Sequence, residues 1–219
     1  MIKVEHINTW GFGHAIRGMR NPMNSWERSD SYETHIENPE TLNTAPFQFF
    51  AGEADLDLMK RLYKCGTEHR KFMRQIFISM DIVAPLYWWK EFDTYKVGTV
   101  ANSCSTMHKA AARDFVWDDF STEKLVTTSA HTAFSVTLEA LNIARANYIE
   151  TKEKRHWDEM IQLLPTSYNQ RRTITMSYEN AAAMICHRAG HKLSEWREYV
   201  GILLDLPYMR EILEGGNEA

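Results

Sequence analysis

Two stretches hold the side chains best suited to chemistry: TYKVGTVANSCST at 94–106 and RRTITMSYENAAAMICHRAGH at 171–191. In the second, His187 and His191 lie four apart with Cys186 adjacent to the pair. On a helix that spacing shares a face, as two metal ligands would. Gly190 intervenes, no acidic residue stands between the histidines and no third ligand is identified, so no metal site is expected. Cys104 is a candidate nucleophile, but no histidine or other base lies at a diagnostic spacing, and a small buried thiol is the expected state. Thr99, Ser103, Cys104 and Ser105 surround Gly98 and Ala101 in a polar run. Such a run suits a backbone pressed against a ligand, and equally a plain loop. Arg188 falls late in the apolar helix AAAMICHRAGH, where a cation answers the helix dipole. Tyr95 and Lys96 end another helix, where lysine is common for the same reason. His69, Arg70 and Lys71 form a basic cluster that reads as a solvated strand entrance, and Tyr87, Trp88 and Trp89 read as packing residues.

The elements that must position these groups follow from periodicity. Residues 2–8 (IKVEHIN) read as a short strand, and Ala15 to Arg20 as a helical turn inside a Gly, Asn and Ser-rich loop. Residues 37–47 carry two prolines and read as a surface loop. Leu56, Met59 and Tyr63 share a face, which predicts a helix over 53–64 with Gly66 as its stop. Alternating Ile76, Ile78 and Met80 predict a strand over 72–82. Pro85 opens a helix through Lys96, at a position where its missing N–H costs little. The longest predicted helix has Ser121 as N-cap and runs to Lys152, with Leu125, Phe134, Leu138, Leu141 and Tyr148 on one stripe. Further helices are expected at 153–163, 179–189 and 194–204, with a strand at 172–178. Strands mixed with longer helices in this irregular order predict an α+β domain, a small central sheet flanked by helices, over residues 1–219.

Composition narrows the class. A chain of 219 residues, 44% apolar and 25% charged, suits one globular domain. A net charge of −4 argues against a broad nucleic-acid-binding face. Cys65, Cys104 and Cys186 cannot all pair and form no C-x-x-C motif, so reduced thiols and a cytoplasmic location are expected. No apolar run approaches the ~20 residues that span a bilayer, and MIKVEHINTW lacks the order of a signal peptide.

The order of these segments resembles the flavin-dependent thymidylate synthases. That family's signature, R-H-R-x-x-S-x-N-x-x-S-x-R, follows a strand, an Ala-Pro pair and a short helix. Here Ile76 to Ile82, Ala84-Pro85 and LYWWKEFD occupy those places. Thr94, Tyr95 and Lys96 then stand for Arg, His and Arg. Thr99 keeps a hydroxyl, Ala101 replaces Asn, Cys104 replaces Ser and Thr106 replaces the last Arg. Upstream, AIRGMR at 15–20 is similar to the family's early Arg-containing helix. Downstream, Leu164-Pro165, a strand, a helix ending in Arg188 and then Trp196 repeat the family's succession.

The resemblance implies methylation of dUMP or a related pyrimidine nucleotide with methylenetetrahydrofolate, FAD and NADPH in a homotetramer. It implies Arg188 against the pyrimidine ring. Arg20, Glu91, Lys96, Thr99, Cys104, Ser105 and Arg171 are its implied nucleotide-site residues. His69, Thr94, Tyr95, Lys96, Asn102 and Ser177 are its implied flavin-site residues. The departures lie in charge: one lysine, a point charge, stands where three arginines would pair bidentately with phosphates. Glu179 brings negative charge near an expected phosphate, and Glu91 stands for a Gln. Arg171 and Arg172 are the available compensation. FAD is therefore the weakest implied ligand, and the alternative is a non-catalytic nucleotide-binding or interaction protein on the same fold.

Overall fold

The computed structural model describes residues 2–35, 47–105 and 110–214. Eight α-helices and six strands are found among them: β1 (Lys3–Trp10), α1 (Phe12–Arg20), β2 (Tyr32–His35), β3 (Phe47–Phe50), α2 (Glu53–Lys64), β4 (Phe77–Pro85), α3 (Leu86–Phe92), β5 (Thr99–Ser103), α4 (Thr128–Thr151), α5 (Lys154–Leu163), β6 (Asn169–Ser177), α6 (Tyr178–Arg188), α7 (Ser194–Leu204) and α8 (Met209–Glu214). The class is mixed α+β. One sheet has the order β1-β4-β6-β5, and β2 pairs antiparallel with β3, Glu33 opposite Phe49. No helix of the described residues is long and apolar enough to cross a membrane. The chain forms two compact units, Met1–His6 with Met80–Ile174 and Ile7–Ser79 with Thr175–Ala219, whose boundaries fall within β1, β4 and β6.

In the first unit, α4 and α5 pack around Phe115, Phe120, Leu141, Ala144 and Met160. Trp88, Trp89 and Phe92 of α3 are buried, with Trp88 edge-on to Trp89 at 4.9 Å. The tryptophan pair is thus packing, as its apolar company predicted. Trp89 donates its indole N–H to the Gln170 carbonyl at 2.9 Å, which satisfies the one polar atom its burial would strand. The predicted start of α4 is corrected. Ser121 gives its hydroxyl to Asn169 Oδ1 at 2.8 Å, and the cap is Thr127, which accepts from the Ala130 N–H at 3.2 Å. Leu125 therefore lies before the helix. The hydroxyls of Ser121, Thr122, Thr127, Thr128 and Ser129 all offer caps, and only tertiary partners choose among them.

In the second unit, α1, α2, α6, α7 and α8 bury Ile16, Met19, Met59, Tyr178, Met184, Trp196, Tyr199 and Met209. The strand predicted from residue 72 begins instead at Phe77, after a 3₁₀ turn over Arg70–Arg74. Phe72 and Met73 are both buried, and a strand cannot send neighbouring side chains to one side. Helix α2 keeps its predicted bounds. Its N-terminal N–H groups at Ala54 and Asp55 are received by the Asp30 carboxylate at 2.8 and 3.1 Å, because Gly52 has no side chain to cap with. The β2–β3 hairpin and α8 had no periodic signal in the sequence. The loop predicted over 37–47 lies outside the described residues apart from Phe47, which belongs to β3.

Candidate functional site

In the first unit the polar run becomes an edge strand. Helix α3 stops at Phe92, four residues short of the predicted end, and Thr94 to Lys96 form turns. Gly98, at φ 71°, redirects the chain into β5. Pairing of β5 with β6 sets Cys104 beside the twin arginines: its N–H donates to the Arg171 carbonyl at 2.9 Å, and Gln170 Nε2 donates to its carbonyl at 2.9 Å. Cys104 is exposed, against the buried thiol expected, because an edge strand has no second neighbour to cover it. Asn102 is exposed on the same strand and Ser105 and Glu91 are half-buried. Thr106 lies outside the described residues.

The basic residues of this unit are mostly engaged. Arg171 reaches Glu5 at 3.1 Å and Asp81 at 3.3 Å, while Thr173 donates to Asp81 at 2.5 Å. The Thr173 hydrogen bond foremost, with the charges of His6 and Arg171, holds the Asp81 carboxyl below its usual range. Lys3 foremost, then Arg171, does the same for Glu5. Arg172 donates to Asp93 at 2.7 Å and to Gln170 Oε1 at 2.9 Å, and lies 4.3 Å over the Trp89 ring. The Thr94 hydroxyl donates to the Glu91 carbonyl at 2.7 Å. Lys96 is exposed and pairs with no carboxylate among the described residues.

The second unit holds the other marked residues. Arg20 is buried, and its Nε lies 2.5 Å from Asp55 Oδ1. The Asp55 carboxylate also accepts from Ser29, Ser31 and two backbone N–H groups. Burial alone pushes that carboxyl up, but Ser31, Ser29 and Arg20 together outweigh it and lower its pKa. Ser177 caps α6, accepting from the Asn180 N–H at 3.3 Å. Glu179, one turn in, is clamped by Arg70 at 3.1 Å and Arg74 at 2.5 Å, so its charge is neutralised locally. No spacing rule in the sequence announces this clamp, since the partners lie over a hundred residues apart. His69 is exposed beside it. Tyr63, under the Arg70 guanidinium and 3.8 Å from Cys186, has its hydroxyl pushed up to about 12, chiefly by burial and then by Cys186.

Arg188 ends α6 half-buried, its guanidinium 4.8 Å over the buried ring of Trp196 on α7. That stacking fixes the planar group and keeps its donors in one orientation. His191 also meets Trp196 edge-on, and its Nδ1 accepts from the Leu193 N–H at 3.2 Å. No group of three or more His, Cys, Asp or Glu that could hold a metal occurs among the described residues. The marked residues thus divide, with Glu91, Thr94, Tyr95, Lys96, Thr99, Asn102, Cys104, Ser105 and Arg171 in one unit and Arg20, His69, Ser177 and Arg188 in the other.

No family model matches the chain, and no curated protein matches it by sequence. Solved structures do match. The flavin-dependent thymidylate synthase ThyX of Helicobacter pylori, complexed with FAD and dUMP, aligns with a TM-score of 0.66 at 16% identity, over 97% of this chain and 96% of that one. A second structure of the H. pylori enzyme, also with FAD and dUMP, aligns with a TM-score of 0.66 at 16% identity over the full length of both chains. The fold of this chain is that of the flavin-dependent thymidylate synthases.

Proposed function

We propose that this chain is a thymidylate synthase-like protein that binds a pyrimidine nucleotide, dUMP or a close relative. Within the first unit Lys96 is assigned to the phosphate, with Thr99, Cys104 and Ser105 as further nucleotide contacts, and within the second Arg188 is assigned to a pyrimidine ring. The observation that carries this reading is the full-length match to proteins that hold dUMP on the same fold. Arg188, oriented by Trp196 and only half-buried, supports it.

The residues do not fit a flavin pyrophosphate. Two phosphates call for several free cations and hydroxyls. Here Arg20, Arg171 and Arg172 are held by carboxylates, Arg70 and Arg74 by Glu179, and the hydroxyls of Thr94 and Ser177 by backbone groups. A homo-oligomer brings further copies of the same engaged side chains. Of the implied flavin-site residues Lys96 alone brings a permanent charge without a carboxylate partner among the described residues, and one point charge does not answer two phosphates. Flavin is accordingly left out of this reading.

The second reading is a working methyltransferase using methylenetetrahydrofolate, FAD and NADPH. The preoriented Arg188 favours it, since a ring-polarising cation is of use to chemistry rather than to affinity alone. The two readings separate on purified protein. dUMP should raise the thermal midpoint, FAD should not, and the absorbance of bound flavin should be missing. Arg188→Ala should cut dUMP affinity by about tenfold or more, the loss of about 1.4 kcal/mol of charge-assisted contact. Absence of any dUMP shift would sink the first reading, and a stoichiometric flavin spectrum would move the assignment to the second.

A further inference from the structure

The second unit contains an open cavity of about 1030 Å³ where the end of β1, the start of α1, the β2–β3 hairpin and Tyr208 meet. Its size is at the upper end of the ~300–1,000 Å³ usual for small-molecule sites. None of the residues marked for nucleotide or flavin lines it. We propose that this cavity is a second ligand site, and that it takes a planar aromatic anion, a ring system bearing a carboxylate, sulfonate or phosphate.

The aromatic half of the argument lies in its wall. Phe12, Phe49 and Tyr208 pack on one another, Phe12 stacked on Phe49 at 4.9 Å and edge-on to Tyr208 at 5.9 Å. Tyr208 is fixed further by its hydroxyl, bonded to the Ala51 N–H at 2.9 Å and the Phe49 carbonyl at 3.3 Å. Its backbone stands at φ 60°, which a bulky side chain rarely adopts. Trp10 lines the same cavity, backs onto Phe77 at 5.9 Å and leaves 42% of its surface open. A flat ring entering the cavity covers apolar surface that these contacts already hold in place.

The charge comes from α1. His14 and Arg17, three apart on one helical face, both line the cavity, and neither side chain has an ion pair or hydrogen bond among the described residues. Glu33 is the opposing acid, but its carboxylate lies over Gly13: a Cβ there would stand 2.7 Å from Glu33 Oε1. It thereby answers the positive end of α1, whose cap position is Gly11 with no side chain to offer. Arg17 is left as the permanent charge facing the cavity.

The probe is anilinonaphthalene sulfonate, an aromatic anion that fluoresces when sheltered, with uncharged N-phenylnaphthylamine as its partner. The full chain should bind the sulfonate saturably at one site, and the uncharged analogue about tenfold or more weakly. Arg17→Glu, at an exposed position, should lose binding by at least the same factor with an unchanged thermal midpoint, and Trp10→Ala should lose fluorescence. Equal binding of both probes, or no effect of Arg17→Glu, would overturn the proposal. Displacement of the probe by dUMP would overturn it as well, by making this the nucleotide site. Failure of dUMP to bind anywhere, with probe binding intact, would count against the nucleotide reading alone.

Discussion

At the scale of single residues, Arg20, Arg70, Arg74, Arg171 and Arg172 are all engaged by carboxylates of the chain itself. Arg20 is the extreme case: an arginine expected at a phosphate is buried against Asp55, which four further donors also hold. Breaking one side of such a pair strands a buried charge, so Asp55→Ala should lose about 3–5 kcal/mol in urea unfolding. The pH dependence follows from sign. The folded pKa of Asp55 is below its unfolded value. Its contribution is complete above the unfolded pKa and disappears as pH falls through the folded one. Wild-type stability should therefore decline in acid more steeply than that of Asp55→Asn, measured by thermal midpoints across the acid range. Equal slopes would show that the carboxylate is not held as described. The same residue identities, Arg20 and Asp55, were visible in sequence, but 35 positions apart, and nothing local joins them.

At the scale of elements, boundaries were decided by which side chain found a partner. Helix α2 and the helices ending at Arg188 and Leu204 fall where periodicity put them, because their apolar stripes are unambiguous. Helix α4 does not, since five hydroxyl residues compete for its cap. Thr127→Ala should cost about 1 kcal/mol and speed amide exchange in the first turn of α4. Ser121→Ala should leave that exchange unchanged, its hydroxyl being given to Asn169. A reversal of the two effects would restore the predicted start. The stretch that forms the edge strand β5 reads in sequence as either loop or ligand-facing backbone, and the structure makes it a strand. Its residues, Thr-Val-Ala-Asn-Ser, are exposed or half-exposed, so no buried face betrays the alternation.

At the scale of the whole molecule, the first marked stretch falls in one compact unit, while the second is divided, its residues 171–174 in that same unit and 175–191 in the other. The family resemblance implies a homotetramer, and light scattering on the purified chain should then give four times the 25.6 kDa protomer mass. A monomer that still binds dUMP would confine the nucleotide to one chain. The order of strand, Ala-Pro pair, short helix, second strand and Arg-terminated helix was legible in sequence. It corresponds to the fold found, because element order is set by local apolar period and by Pro and Gly punctuation. What the tertiary structure alone decided is the state of each charge. Whether Arg171, Arg172, Arg20 or Glu179 is free to meet a ligand depends on Glu5, Asp93, Asp55 and Arg70. Ion pairing acts through distances of a few ångströms in space, which a chain reaches only by folding, and no pattern of residues along the sequence encodes it.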